Sequence, residues 1–278
     1  MTMLTPGGIR LAVAAATDTG LKRTVNEDSY LAEAPVFLVA DGMGGYEAGD
    51  LASAAVVDAF RGRVLGTEFA TLDDVRDALL DADDQVAGVA SGTTRGAGST
   101  VSGLALVQHD GEPYWLVFNV GDSRVYRHVG TELAQLTIDH SLGQELIERG
   151  ELRREDLNTF PDRNVITRAI GAADSMADSW LFPVVNGERL LVCSDGLHSE
   201  VDDESIRAVL TMNGRPESAA QALVARANHN GGRDNISVIV LDVVSGGGDV
   251  AADMTTGSVT GAALADGALD DTADTLKV

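Results

Sequence analysis

The chain has 278 residues, 44% of them apolar, and carries 43 acidic against 20 basic side chains for a net charge of −23. Length and apolar content suffice for one large domain or two small ones, which excludes a chain disordered throughout. The acidity argues against a partner that is nucleic acid or anionic membrane, and the single cysteine, Cys193, excludes a disulfide framework within one chain.

From the N-terminus, "IRLAVAAAT" (9–17) reads as a strand; it is too short and too weak for a signal-peptide core. "VFLVA" (36–40) is a second strand, running straight into Asp41 and a glycine-rich loop. Two amphipathic helical patterns follow, over 48–64 and 72–90, with apolar positions at 51, 54, 55 and 59 in the first and 72, 75, 79, 82 and 86 in the second. Strands over 100–108, 113–120 and 123–128 read as two hairpins, turning at Asp110-Gly111 and at Gly121-Asp122. "RLLVCS" (189–194) and "NISVIVLDV" (235–243) are further strands, separated by helical patterns over 202–212 and 216–228. Many strands with few intervening helices suit antiparallel sheets, and paired amphipathic helices suit covering layers. The expected fold is therefore α+β, two sheets face to face with helices outside, over residues 1–244.

Composition changes after residue 244. Residues 245–278 hold six Asp, one Lys and no aromatic side chain, too little apolar surface to offset ordering, so a flexible acidic tail hinged at "SGGGD" is expected. Thr272 and Thr275 each follow an aspartate. That pattern suits a kinase target, and equally a solvated tail without a role. No stretch approaches a membrane span, and the expectation is a soluble, cytoplasmic, monomeric protein.

Three aspartates stand at strand ends. Asp41 and Asp195 each close an apolar strand and precede glycine, and Asp234 opens one. Any one Asp-Gly is ordinarily a turn. In an antiparallel pair, however, the end of one strand and the start of its neighbour share an edge, so Asp195 and Asp234 meet if their strands are neighbours. Asp41 can join them from the facing sheet. "TDTGLKRTVNEDSY" (17–30) adds Asp18, Arg23, Glu27 and Asp28 in a polar segment. Clustered carboxylates repel unless protonated or neutralised, and hard divalent cations such as Mg²⁺ or Mn²⁺ are the natural partners of an all-oxygen set. Two such ions would balance Glu27, Asp41, Asp195 and Asp234. Gly42 can offer a backbone carbonyl. The five histidines have no ligand-like spacing, which argues against zinc.

In order along the chain, "TDTGLKRTVNEDSY", "VADGMGGYEAGDLAS", "GSTVSGLAL", "NVGDSRVYR", "LTIDHSL", "VITRAIG", "LLVCSDGLHSEV" and "GGRDNISVIVLDV" together resemble the PPM family, the type 2C metal-dependent protein serine/threonine phosphatases, bacterial type. The resemblance implies a four-layer α-β-β-α sandwich. It implies hydrolysis of phosphoSer or phosphoThr by direct attack of water or hydroxide lying between two divalent metals, Mn²⁺ or Mg²⁺. By resemblance Asp41 bridges the two, Asp195 and Asp234 hold the first, and the Gly42 carbonyl and Glu27 serve the second, Glu27 through water. Asp28 and Asn235 support the ligands from behind. Arg23 binds phosphate, for which its planar fork suits better than Lys22. Asp122 is either a plain turn residue or helps hold a third, weaker ion. Residues 141–164 match a flap that helps choose substrates. Phosphoproteins are the implied partners, with a Ser/Thr kinase and its substrates beyond.

Where many family members carry a histidine after the first Asp-Gly, this chain has Met43 and Tyr46, so no general acid is assigned; metal-bound water or His140 are candidates. "GAGST" (96–100) also departs mildly from the family's Gly-Thr-Thr. Two competing readings are a catalytically weak or inactive member serving as a binding module, and a phosphohydrolase of small molecules. The first would be marked by loss of ligand carboxylates, and Asp41, Asp195 and Asp234 are all retained.

Overall fold

A computed structural model describes residues 1–44, 48–93, 96–249 and 276–277. Two antiparallel sheets lie face to face. The first holds β1 (Thr2–Leu4), β2 (Arg10–Asp18), β8 (Arg124–Val129), β9 (Glu132–Gln135), β11 (Arg189–Cys193) and β12 (Ile236–Ser245), in the order β1-β2-β12-β11-β8-β9. The second holds β3 (Asp28–Glu33), β4 (Val36–Gly44), β6 (Val101–His109), β7 (Glu112–Val120), β10 (Asp178–Pro183) and β13 (Leu276–Lys277), in the order β13-β10-β7-β6-β4-β3, while β5 (Ala97–Ser99) pairs with the end of β4. Helices α1 (Gly49–Val64) and α2 (Leu72–Ser91) cover the second sheet; α5 (Asp203–Met212) and α6 (Pro216–Asn230) cover the first.

The strands look uniformly apolar because both their faces are buried. On β4, Phe37 and Val39 enter the core between the sheets, while Val36, Leu38 and Ala40 pack under α1 and α2. On β12, Ile239, Leu241 and Val243 face the other sheet, and Val238 and Val240 face α5 and α6. This is the period-two division of a strand sandwiched on both sides. Thr71 caps α2, accepting from the Asp74 amide while the Asp74 carboxylate accepts from the Thr71 amide. Pro216 opens α6 at a position where its missing N–H costs nothing.

Three expectations are corrected by the structure. Asp110-Gly111 does turn a hairpin, with both residues at positive φ, 52° and 86°. Gly121-Asp122 does not: β7 stays in the second sheet and β8 joins the first, so this turn is a corner between sheets. On α1 the buried face runs through Ala52, Val56 and Phe60; of the expected positions Ala59 is buried and Ala55 packs against the core, but Leu51 points outward at 55% exposure. The proposed hinge "SGGGD" is also tied down. Gly248 N donates to Val184 O at 2.9 Å, and Asn186 side-chain bonds clasp Gly247 at both its N–H and its carbonyl. Further along the expected flexible tail, Leu276–Lys277 form β13 and pair with Ser179 and Asp178 of β10; residues 250–275 and 278 lie outside those described. Among the described residues no helix is long and apolar enough to cross a membrane.

Candidate active site

β11 and β12 are antiparallel neighbours, with Cys193 opposite Val238. One step past β11, Ser194 N still donates to Ser237 O at 3.0 Å, so Asp195 leaves the sheet at the edge where Asp234 enters it. Asp195 opens a short helix, α4 (Asp195–His198). Gly196 is obligatory there, because a Cβ would stand 2.0 Å from the Asn235 carbonyl. Asp41 arrives from the facing sheet, directly opposite Asp28 on β3. Its backbone is pinned by Thr100, whose N–H donates to Asp41 O at 2.9 Å and whose Oγ1 accepts from Asp41 N at 3.1 Å.

Asn235 holds the polar segment over this edge. Its Nδ2 donates to Thr19 O at 2.9 Å and Val25 O at 3.0 Å, and its Oδ1 accepts from Glu27 N at 2.8 Å. The Glu27 carbonyl in turn accepts from Gly42 N at 3.1 Å and Ser53 Oγ at 2.6 Å. The packing is close enough that a Cβ on Gly42 would meet the Gly49 carbonyl at 1.9 Å. The Glu27 carboxylate lies against Gly49 at the start of α1, where a Cβ would stand 2.3 Å from its Oε1. At the apex of the segment, Arg23 Nη2 donates to Asp234 Oδ2 at 2.7 Å.

The acids so gathered are electrostatically strained. Burial, with repulsion from Asp195 and Asp234, pushes Asp28 up to about 7, against bonds from Ser237 and Ser194. Burial, then repulsion from Asp234, pushes Asp195 up to about 6, opposed by the charges of Arg23 and Arg124. Asp41 and Asp122 are buried and held well above the usual carboxylate range, Asp41 by burial and then Asp28, Asp195 and Asp122, Asp122 by burial and then Asp195 and Asp139. Burial also raises Glu27, opposed by Arg23. Burial disfavours the Arg23 charge, but Asp234, Glu27 and Asp41 more than offset this and raise its pKa.

Thus the structure brings Arg23, Glu27, Asp28, Asp41, Gly42, Asp122, Asp195, Asp234 and Asn235 to one end of the sandwich. Tyr46 lies outside the described residues. No three acidic, imidazole or thiol groups among the described residues form a ready-made ligand set. Bare carboxylates repel, and Asp234 is turned onto Arg23 instead. The donors nevertheless fit hard cations. All are oxygens, and both Asp195 Oδ1 and Asp28 Oδ1 are buried without any hydrogen-bond partner.

The model of the Protein phosphatase 2C family matches residues 22–227. The chain belongs to that family. This phosphatase is similar to protein phosphatase PhpP of Streptococcus pneumoniae, 32% identical over 244 residues that cover 84% of this chain and 98% of PhpP. Among solved structures it resembles the serine/threonine phosphatase PstP/Ppp of Mycobacterium tuberculosis, at 30% identity and a TM-score of 0.78, over 85% of this chain and 100% of that one. It also resembles the catalytic domain of the serine threonine protein phosphatase PstP in complex with two manganese ions, at 30% identity and a TM-score of 0.77, over 85% of this chain and 99% of that one. The two-sheet fold expected of the type 2C phosphatases is the one observed.

Sequence reasoning missed several residues that shape the phosphatase site. Ser194 accepts from Ser237 N at 2.9 Å and donates to Asp28 Oδ2 at 2.8 Å, joining β11, β12 and β3. Its only signal was being the small residue between strand and Asp195. Arg124 holds Asp139 through three bonds of 2.6–3.1 Å behind Asp122. His140, a candidate acid, is a bonded core residue: Nδ1 accepts from Gly121 N at 3.1 Å, and Nε2 lies 3.2 Å from Asp178 Oδ2.

Proposed function

We propose that this phosphatase hydrolyses phosphoserine and phosphothreonine of proteins by direct in-line attack of water at a pair of divalent cations, Mn²⁺ or Mg²⁺. The observation that carries the reading is the buried, unpartnered Oδ1 of Asp195, set among carboxylates from β3, β4, β11–α4 and the start of β12. Asp41 stands between the two sheets and would serve both ions. Asp195 and Asp234 would hold one; the Gly42 carbonyl, with Glu27 beside it, would serve the other. Asp122 would hold a third, weaker ion. Bound there, the cations would supply Lewis-acid charge that brings the pKa of water toward neutrality.

Arg23 exchanges partners. In the free protein it neutralises Asp234. Were cations to occupy the carboxylates, its guanidinium would be free to donate to two phosphate oxygens with its planar fork, the local positive charge that an acidic surface requires. Asp28 and Asn235 orient: Asp28 through Ser194, Asn235 through the backbone of residues 19–27. Neither His140 nor His198 is offered to a leaving group, since both ring nitrogens of His140 and Nε2 of His198 are engaged inside the fold. Water is the proton source we assign to the leaving seryl or threonyl oxygen. A kinase acting on the same Ser or Thr is the partner activity that supplies the substrate. Residues 1–249 form the catalytic unit.

The test is hydrolysis of a phosphothreonyl peptide by chelator-stripped protein. Mn²⁺ should restore turnover and Asp195→Asn should abolish it. Full turnover in excess chelator would refute the mechanism.

A further inference from the structure

Two of the five histidines grip the backbone of a single turn from opposite sides. The corner between β7 and β8 carries Asp122, whose buried carboxyl is repelled by Asp195 and Asp139. On one side His140 Nδ1 accepts from Gly121 N at 3.1 Å, and the His140 N–H donates to Gly121 O at 2.9 Å. An accepting Nδ1 puts the ring proton on Nε2, which lies 3.2 Å both from Asp178 Oδ2 and from Arg168 Nη1; Arg168 Nη1 donates to the other Asp178 oxygen at 3.0 Å. On the other side His198 Nε2 donates to the Asp122 carbonyl at 2.9 Å.

The two histidines come from different places. His198 closes α4, the helix that Asp195 opens. His140 stands at the base of an excursion, residues 142–165, that carries α3 (Leu142–Glu148) and a 3-10 turn (Arg154–Thr159). That base is closed by Thr167 N donating to His140 O at 2.8 Å and Leu142 N donating to Val165 O at 2.8 Å. A desolvated carboxylate beside other carboxylates gains by swinging out to water, and a corner between sheets has no ladder partner to stop it. Directional bonds to the corner's own N–H and C=O groups resist that motion: Asn119 Nδ2 donates to the Gly121 carbonyl at 3.0 Å, and the histidine rings serve the Gly121 N–H and the Asp122 carbonyl. Apolar side chains at 140 and 198 could fill the space but could not supply them.

Resting on the metal reading above, we propose that His140 and His198 are positioning residues. Together they clamp the Gly121–Asp122 backbone against Asp195, so that Asp122 is presented to a third divalent cation, and His140 ties that presentation to the base of the 142–165 excursion.

Paired substitutions separate the bond from the bulk. His140→Asn places an acceptor oxygen where Nδ1 was, whereas His140→Gln keeps only the Asp178 side. His198→Gln keeps a donor where Nε2 was, whereas His198→Asn loses it. Chelator-stripped full-length protein is titrated with Mn²⁺ by calorimetry, and Gly121 amide exchange is followed by mass spectrometry. Asp122→Asn marks the binding component that uses Asp122. His140→Gln and His198→Asn should weaken that component about tenfold, and His140→Gln should speed Gly121 exchange, while His140→Asn and His198→Gln stay within about threefold of wild type. Wild-type affinity in the bond-losing variants, or equal losses within each pair, overturns the clamp. Should His140→Gln fail to fold, the His198 pair decides by the same criterion. If wild type takes up no Mn²⁺, or Asp122→Asn removes no component, the metal reading fails at Asp122 and the inference falls with it.

Discussion

Arg23 and Asp234 form an ion pair of 2.7 Å across 211 positions of sequence, so the guanidinium at the apex of the polar segment is spent on a carboxylate that metal would claim. The pair is half exposed and is therefore a weak tie, easily exchanged for a phosphate. Arg23→Ala should raise KM for a phosphopeptide about tenfold or more, as expected for loss of a charge-assisted bond, while kcat changes less. It should not weaken Mn²⁺ binding, because a competitor for Asp234 is gone. Steady-state kinetics with an Mn²⁺ titration checks both; an unchanged KM removes Arg23 from the phosphate site.

Asp195→Asn should separate stability from function. In the metal-free protein it removes a buried carboxylate that repels Asp41 and Asp234, and should stabilise the fold by about 1–2 kcal/mol. In saturating Mn²⁺ the order should reverse, because wild type gains the linkage stabilisation of bound metal and the variant does not. Melting curves with and without Mn²⁺ check this. A variant less stable than wild type in both conditions would contradict it.

The same charges give the metal-free protein a pH dependence of definite sign. Asp28 is raised to about 7 and Asp195 to about 6, so the folded state binds more protons than the unfolded one above about pH 4. Their stabilisation is full below the ordinary carboxylate range and is lost as pH rises through 6 and 7. Chelated protein should therefore melt at lower temperature at pH 8 than at pH 6, and Asp28→Asn should flatten the slope. A melting temperature rising over that interval would refute the assignment.

Asn235→Ala should loosen the segment that carries Arg23 and Glu27. Three part-buried bonds of 2.8–3.0 Å vanish and leave two carbonyls and one N–H without their partner, a cost of about 1–2 kcal/mol. KM for phosphopeptide should rise with the loss of Arg23 placement. A destabilised variant with unchanged KM would make Asn235 a fold residue only.

Truncation locates the domain's end. A chain stopped after Asp249 should keep wild-type turnover and lose only the small contribution of the two-residue pairing of β13 with β10. One stopped after Val244 should melt lower, because Ser245 pairs with Arg10 and Gly247 and Gly248 are bonded to Val184 and Asn186. Equal stability of the two would restore the free hinge.

The strand ends were the legible part of the site. A run such as "LLVCS" stopping at Asp195 shows where a buried strand meets a charge, and antiparallel pairing does the rest. The corner at Asp122 was not legible. β7 and β8 are buried on both faces, so neither shows an alternation that would assign it to a sheet, and Val-Gly-Asp-Ser reads locally as a hairpin turn. The face of α1 was misjudged because its alanines give little contrast between buried and exposed sides. His140 and His198 were invisible for another reason. Their partners are backbone groups of Gly121 and Asp122, and a bond to backbone leaves no residue-type pattern to find.

Carboxylates from four separate chain segments closing around divalent cations are the centre of the mechanism, and equilibrium uptake of Mn²⁺ by the chelator-stripped full chain tests that most directly. Wild type should bind two ions, or a third more weakly, and Asp41→Asn, which removes the group placed between the sheets, should lose tight uptake altogether. Failure of wild type to take up Mn²⁺, or uptake by Asp41→Asn equal to that of wild type, would contradict it.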